Sequence, residues 1–304
     1  MIEKLQGAMS ALITPFDEAG GVDVRALETI VDEQIARGID GLVACGTTGE
    51  TPTLSAEEQE RVIKCVVERA AGRVPVIAGT GSNNTKATAA QTARARAWGA
   101  DAALVVVPYY NKPSQEGMVR HFEAAHEEGG LPIIAYNVPG RTVADMMPET
   151  IARLQSDGVI AGIKDATANM IRATDTLRLL DPDRAFAMMT GDDFTILPFI
   201  ACGGVGVISV VSNIAPGDTS KLVKWTSAGE LSKARALHNR IVALAHAMFA
   251  APNPVPVKAA MALAGWCRPD ARLPLVTADD ALRDRVRLAL ETYSGKAKLD
   301  GFMA

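Results

Sequence analysis

Eight short apolar runs, rich in β-branched residues, recur along the chain: MSALIT, GLVAC, VPVIAG, AALVVV, LPIIAY, VIAGIK, AFAMMT and VGVIS. They begin at residues 9, 41, 74, 102, 131, 159, 185 and 205. Most are continuously apolar rather than alternating, the pattern of strands buried on both faces. Between them lie helical patterns with start and stop signals. Asp23 precedes VRALETIVDEQIARG, Ser55 and Glu58 form a capping box before ERVIKCVVERAAG, and Ser114 precedes QEGMVRHFEAAHEEGG. Gly38, Gly72, Gly99 and Gly129 stand at the expected helix ends.

Eight strand–helix units predict the α/β class and, within it, a (β/α)8 TIM barrel. A doubly wound sheet is the runner-up, but the first strand is not followed by its G-x-G-x-x-G turn. The barrel is expected over residues 1–228, with 229–304 as a C-terminal helical appendage that begins ELSKARALHNRIVALAHAMFA and continues through PVPVKAAMALAGW. One uncharged run, Phe194 to Gly217, is long enough for a bilayer. Its Pro198, Pro216, glycines, Ser209, Ser212 and Asn213 read instead as buried turn, strand and loop.

Composition adds exclusions. The 304 residues are 48% apolar and 22% charged, with net charge −4. That is the composition of a soluble globular protein, and it argues against a nucleic-acid or membrane partner held by bulk charge. Cys45, Cys65, Cys202 and Cys267 are widely spaced, as reduced thiols of a cytoplasmic protein would be. The N-terminus lacks the shape of a signal peptide.

A barrel places its chemistry at the C-terminal ends of its strands. The second strand ends in Gly46-Thr47-Thr48-Gly49-Glu50, whose hydroxyls and amides could hold a carboxylate or cap the next helix. The fifth runs into Tyr136-Asn137-Val138-Pro139-Gly140-Arg141-Thr142. Here a phenol could shuttle a proton and a guanidinium could hold a carboxylate. The alternative makes Tyr136 a core residue and Arg141 a solvated charge. The sixth ends in Lys164, the sharpest signal. Burial makes a charged lysine costly and favours the neutral amine that attacks carbonyls, although a snorkelling rim lysine also fits. Of the adjacent Tyr109 and Tyr110, only one can face a given core. Gly203-Gly204-Val205-Gly206 could bind phosphate or allow close backbone approach. His121 and His126 lack zinc-pair spacing, and GTGSNNTK at 79–86 lacks the Walker glycine.

GTTGE at 46–50, PYYNKPSQEG at 108–117, YNVPGRT at 136–142, GIKDA at 162–166 and GDD at 191–193 occur in that order. In these motifs the chain resembles the dihydrodipicolinate synthase family of N-acetylneuraminate lyase-like class I aldolases. The resemblance extends from ALITPF to Lys258. It implies a lyase of lysine and diaminopimelate biosynthesis that condenses pyruvate with L-aspartate 4-semialdehyde to 4-hydroxy-tetrahydrodipicolinate through a Schiff base on Lys164. By the same resemblance Tyr136, Thr47 and Tyr110 form a proton relay, with Tyr110 reaching in from a neighbouring subunit. Thr48 holds the pyruvate carboxylate and Arg141 that of the semialdehyde, while Gly191 and Ile208 line the pocket through backbone groups. No metal or organic cofactor is implied, and the assembly implied is a homotetramer built from dimers. Another pyruvate-dependent aldolase, a keto-sugar-acid dehydratase or a non-catalytic keto-acid-binding barrel stays open.

The resemblance also bears on feedback. Family members strongly inhibited by L-lysine bind it at the dimer interface, in a pocket that includes two histidines and a glutamate. Aligned on GTTGE and GTGSNN, this chain has Ala56 and Gln59 at the histidine positions and Ala87 at the glutamate position, with Asn83 and Tyr109 retained. Loss of one charged hydrogen bond costs roughly 1.5–3 kcal/mol, about ten- to a hundredfold in affinity. Lysine is therefore expected to inhibit weakly or not at all in an initial-rate titration. Strong inhibition below millimolar lysine would show that another acid, such as Glu57 or Glu60, restores the site.

Overall fold

A computed structural model describes residues 2–295. Each apolar run overlaps a strand: β1 Gly7–Ala11, β2 Gly41–Ala44, β3 Val76–Gly79, β4 Ala102–Val106, β5 Ile133–Asn137, β6 Gly162–Asp165, β7 Ala187–Thr190 and β8 Gly206–Ser209. They pair in parallel in chain order, and β8 closes onto β1. The expected (β/α)8 barrel with C-terminal helices is thus observed. Strands β3 and β5 start later than their apolar runs, directly after Pro75 and Pro132, which have no N–H to give the ladder.

The continuous apolarity of the strands has a direct cause. Met9, Val43, Ile77, Leu104, Ile134, Tyr136, Met189 and Ile208 point into the barrel and pack together. Their neighbours in the strands, among them Leu42, Val105, Ile133, Ile163 and Val207, point outward beneath the helices. Both faces are therefore dry, and register decides which residues reach the interior.

The helices are α1 Val24–Ala36, α2 Ala56–Ala70, α3 Thr85–Ala97, α4 Gln115–Gly129, α5 Pro139–Thr142, α6 Pro148–Ser156, α7 Met170–Leu179, α8 Ile196–Ala201 and α9 Pro216–Ser227. The Asp23, Ser55 and Ser114 caps form as expected, including the reciprocal box between Ser55 and Glu58. Gly129 stands at a helix end as expected, but it is not the residue that turns the chain. It is the last helical residue of α4, and Gly130 takes the left-handed turn. The uncharged run from Phe194 opens on a turn as expected, and the short helix α8, not among the expected elements, follows before strand β8. No helix among the described residues is long and apolar enough to cross a membrane.

Gly206 shows what the glycine-rich stretch does structurally. A Cβ there would lie 2.1 Å from the Gly7 carbonyl oxygen, so close strand approach requires the glycine.

Among the described residues, three further helices follow the barrel: α10 Leu231–Met248, α11 Val255–Leu263 and α12 Asp280–Ser294. Residues 296–304 of the expected C-terminal region lie outside the described residues. Leu237, Ile241, Val257, Met261, Val286 and Leu290 extend the apolar layer that surrounds the strands. Burying side chains of this size contributes about 1.5–3 kcal/mol each. The segment between α11 and α12 turns back over the barrel. There Arg272 donates to Glu58, to the Thr53 carbonyl and to the Gly20 carbonyl.

Candidate active site

A cavity of about 460 Å3 opens at the C-terminal ends of the second to fifth strands. Thr47, Tyr109, Tyr136 and Arg141 line it, with Leu104, Val106 and Val138 as its apolar wall. The parallel register places Tyr136 of β5 directly opposite Lys164 of β6. Both side chains point inward, and the Lys164 Nζ lies 4.4 Å from the Tyr136 ring centroid. Lys164 is 5% exposed, and among the described residues no carboxylate pairs with it.

Gly191 follows β7 and packs against this lysine. A Cβ at Gly191 would fall 2.6 Å from Lys164 Cε and 2.9 Å from its Cγ. The stem of the lysine therefore occupies the space a side chain would need. The Gly191 N–H donates to the Asp165 carbonyl at 2.6 Å. Ile208 is fully buried in the barrel interior. Next to it, the Ser209 hydroxyl and the Val210 and Val211 amides donate to the Asp193 carboxylate. Burial pushes that carboxyl up to about 6 despite these donors.

Neither hydroxyl of Thr47-Thr48 caps the next helix, because Ser55 does so. Thr48 is buried, and its Oγ accepts from Asn253 Nδ2 at 3.0 Å. Thr47 is the half-buried member of the pair and faces the cavity. Cys45 also lines the cavity, but burial pushes its thiol up to about 12, which keeps it protonated and a poor nucleophile.

Arg141 sits exposed at the mouth on the short helix α5, whose first residue is Pro139. Its loop is braced from behind. Asn137 donates to Asp145 and accepts from the Met146 amide, and Arg172 bridges Asp165 and the Met146 carbonyl. Of the candidates, Thr47, Tyr136 and Arg141 line the cavity, Lys164 lies against Tyr136 with Gly191 behind it, Thr48 and Ile208 are buried, and Tyr110 alone is turned out to the surface. It is 87% exposed with φ 71, while Tyr109 faces inward. A bulky residue in the left-handed region is an outlier that needs a reason.

Sequence reasoning passed over Glu50, Lys258, Asn253 and Arg272 as working parts of the site. Lys258 and Glu50 form an almost completely buried ion pair beneath the threonine loop. A signal existed, since Lys258 interrupts an apolar segment just as Lys164 does. Gln59, at one of the feedback-pocket positions, lines the same cavity. Its side chain is engaged by Gln91 and the Leu54 carbonyl.

Comparisons with known proteins agree on one group. The model of the Dihydrodipicolinate synthetase family matches residues 4–293. A 4-hydroxy-tetrahydrodipicolinate synthase of Anaeromyxobacter sp. (strain Fw109-5) is 49% identical over 293 residues, covering 96% of this chain and 99% of that protein. The corresponding enzyme of Syntrophus aciditrophicus (strain SB) is 46% identical, covering 95% and 98%. Among solved structures, the chloride-inhibited dihydrodipicolinate synthase of Acinetobacter baumannii, complexed with pyruvate, superposes with a TM-score of 0.92. That structure is 42% identical, with 95% of this chain and 99% of that chain covered.

The contact between Gly191 and Lys164 yields a prediction. In Gly191→Ala the lysine stem must shift, and a misplacement of about 1 Å costs on the order of a hundredfold in rate. Borohydride inactivation in the presence of pyruvate should slow by that order, with far-UV circular dichroism unchanged. An unaltered rate would show that the lysine stem has room to move.

Proposed function

The chain belongs to the dihydrodipicolinate synthetase family, and from that premise we propose that it condenses pyruvate with L-aspartate 4-semialdehyde to 4-hydroxy-tetrahydrodipicolinate. The observation that carries this reading is the buried Lys164 held against Tyr136 beside a cavity lined by Thr47 and Arg141.

The neutral amine of Lys164 adds to the pyruvate ketone, and loss of water gives a protonated imine. This cation accepts the electron pair left when a methyl proton departs, so an enamine forms. The enamine carbon attacks the aldehyde carbon of the semialdehyde, whose oxygen takes up a proton. The semialdehyde's own amino group then attacks the imine carbon, closes the ring and expels Lys164 as the free amine. The balance is one pyruvate and one semialdehyde to one cyclic product and one water.

Tyr136 and Thr47 are suited to carry the protons, because both groups reach the cavity. Tyr110 completes the relay from a neighbouring subunit. Its exposure and its left-handed backbone suit a residue ordered by another copy. Thr48 and adjacent amides take the pyruvate carboxylate, Arg141 takes that of the semialdehyde, and the backbone at Gly191 and Ile208 lines the pocket. The working form is a cytoplasmic homotetramer built from dimers, and the described cysteines are all unpaired.

Two measurements test the reading. A coupled assay should show pyruvate-dependent condensation of aspartate semialdehyde, lost in Lys164→Ala. Turnover of a different aldehyde alone, or unimpaired turnover without Lys164, would refute it. Arg141→Ala should raise the KM for the semialdehyde far more than that for pyruvate. Removing a charge-assisted contact costs roughly 1.5–3 kcal/mol. Equal effects on both substrates would make Arg141 a structural residue.

A further inference from the structure

The Gly46–Glu50 loop is bent at both ends in a way its residues resist. Cys45 and Glu50 have φ values of 53 and 54, in the left-handed region that non-glycine residues avoid. Within the loop, the Gly49 N–H donates to the Gly46 carbonyl and the Glu50 N–H to the Thr47 carbonyl, both at 3.1 Å. These bonds close the turn. On the barrel side the Thr14 hydroxyl donates to the Gly49 carbonyl at 2.7 Å.

Further anchors come from the far end of the chain. Lys258 Nζ donates to Glu50 Oε1 at 2.5 Å and to the Asp270 carbonyl at 2.7 Å. The Arg272 N–H donates to Glu50 Oε2 at 2.9 Å, so both carboxylate oxygens are held. Asn253 Nδ2 donates to Thr48 Oγ. Phe16 closes the base, with its ring 3.9 Å from Lys258 Nζ. The side chains of Lys258 and Glu50 are 0% and 1% exposed. Burial pulls the ammonium of Lys258 down from the ordinary lysine range, while Glu50 opposes that pull.

A buried ion pair contributes little net stability compared with an apolar pair of equal volume. What it adds is direction, since two charge-assisted bonds, one to each oxygen, hold one carboxylate in one orientation. That carboxylate is two residues from Thr48 and three from Thr47. We infer that Lys258, acting through Glu50, and Asn253, acting through Thr48, are positioning residues that hold the threonine loop in the form that receives the keto-acid carboxylate. The C-terminal helical region thereby sets the affinity for the first substrate. The inference rests on the reading of Lys164 as the Schiff-base lysine. It predicts a weaker hold on pyruvate with the lysine chemistry preserved.

The test measures the pyruvate concentration that half-saturates borohydride trapping at Lys164, read as adduct mass on the intact protein. In the Glu50→Gln/Lys258→Met variant, which removes both charges at nearly constant volume, half-saturation should rise at least tenfold. The trapping rate at saturating pyruvate should stay within threefold of the parent. Asn253→Ala, which loses one bond, should raise half-saturation three- to tenfold while the KM for the semialdehyde holds. Variants that lose only thermal stability, with half-saturation unchanged, would overturn the inference while leaving the Schiff-base reading intact. If the double variant does not fold, unchanged half-saturation in Asn253→Ala is enough to overturn it. No adduct in the parent would overturn the Schiff-base reading and the inference together.

Discussion

Lys164 lies opposite Tyr136 because β5 and β6 pair in parallel register, Ile134 against Gly162 and Tyr136 against Lys164. Closure of the barrel removes the freedom to slip, since a shift of one residue would turn every interior side chain outward beneath the helices. The same alternation sends Asp165, the next residue, to the outer face, where Arg172 pairs with it at 3.1 Å. One strand thus presents an amine to the cavity and a carboxylate to the brace behind it. Chemistry and support are separated by a single peptide unit.

Around that pair the structure divides the work between two braces. Asp165, Arg172, Asn137 and Asp145 tie the loop bearing Arg141 to the ends of β5 and β6. Glu50, Lys258 and Arg272 tie the threonine loop to the C-terminal helices. Each brace joins a strand-end loop to helices or strands of the fold, which gives a site on loops the precision that catalysis requires. The C-terminal region therefore belongs to the site mechanically, although its side chains stand behind the cavity wall.

The barrel was legible in the sequence because strands buried on both faces write a local signal, a short continuous apolar run, eight times over. Lys164, Tyr136, Thr47 and Arg141 were legible because each stands at the end of such a run or just beyond it. The Lys258–Glu50 pair was not, although Lys258 also breaks an apolar stretch. Its partner lies more than two hundred residues away, and no local pattern specifies a contact that only tertiary packing creates. Boundaries moved for identifiable reasons: prolines delayed β3 and β5, and Gly130 rather than Gly129 takes the left-handed turn after α4. The outward placement of Tyr110 follows from a backbone conformation that residue type alone does not foretell.

The most direct test of the central claim, that this register gathers an amine, a phenol and a carboxylate-binding loop around one keto acid, is a crystal structure of the chain soaked with pyruvate. The expected result is continuous density from Lys164 Nζ to the pyruvate C2 carbon, with the carboxylate seated on the Thr47–Thr48 loop and the Tyr136 hydroxyl within hydrogen-bond reach of the adduct. Pyruvate bound away from Lys164, or an adduct whose carboxylate points away from that loop, would contradict it.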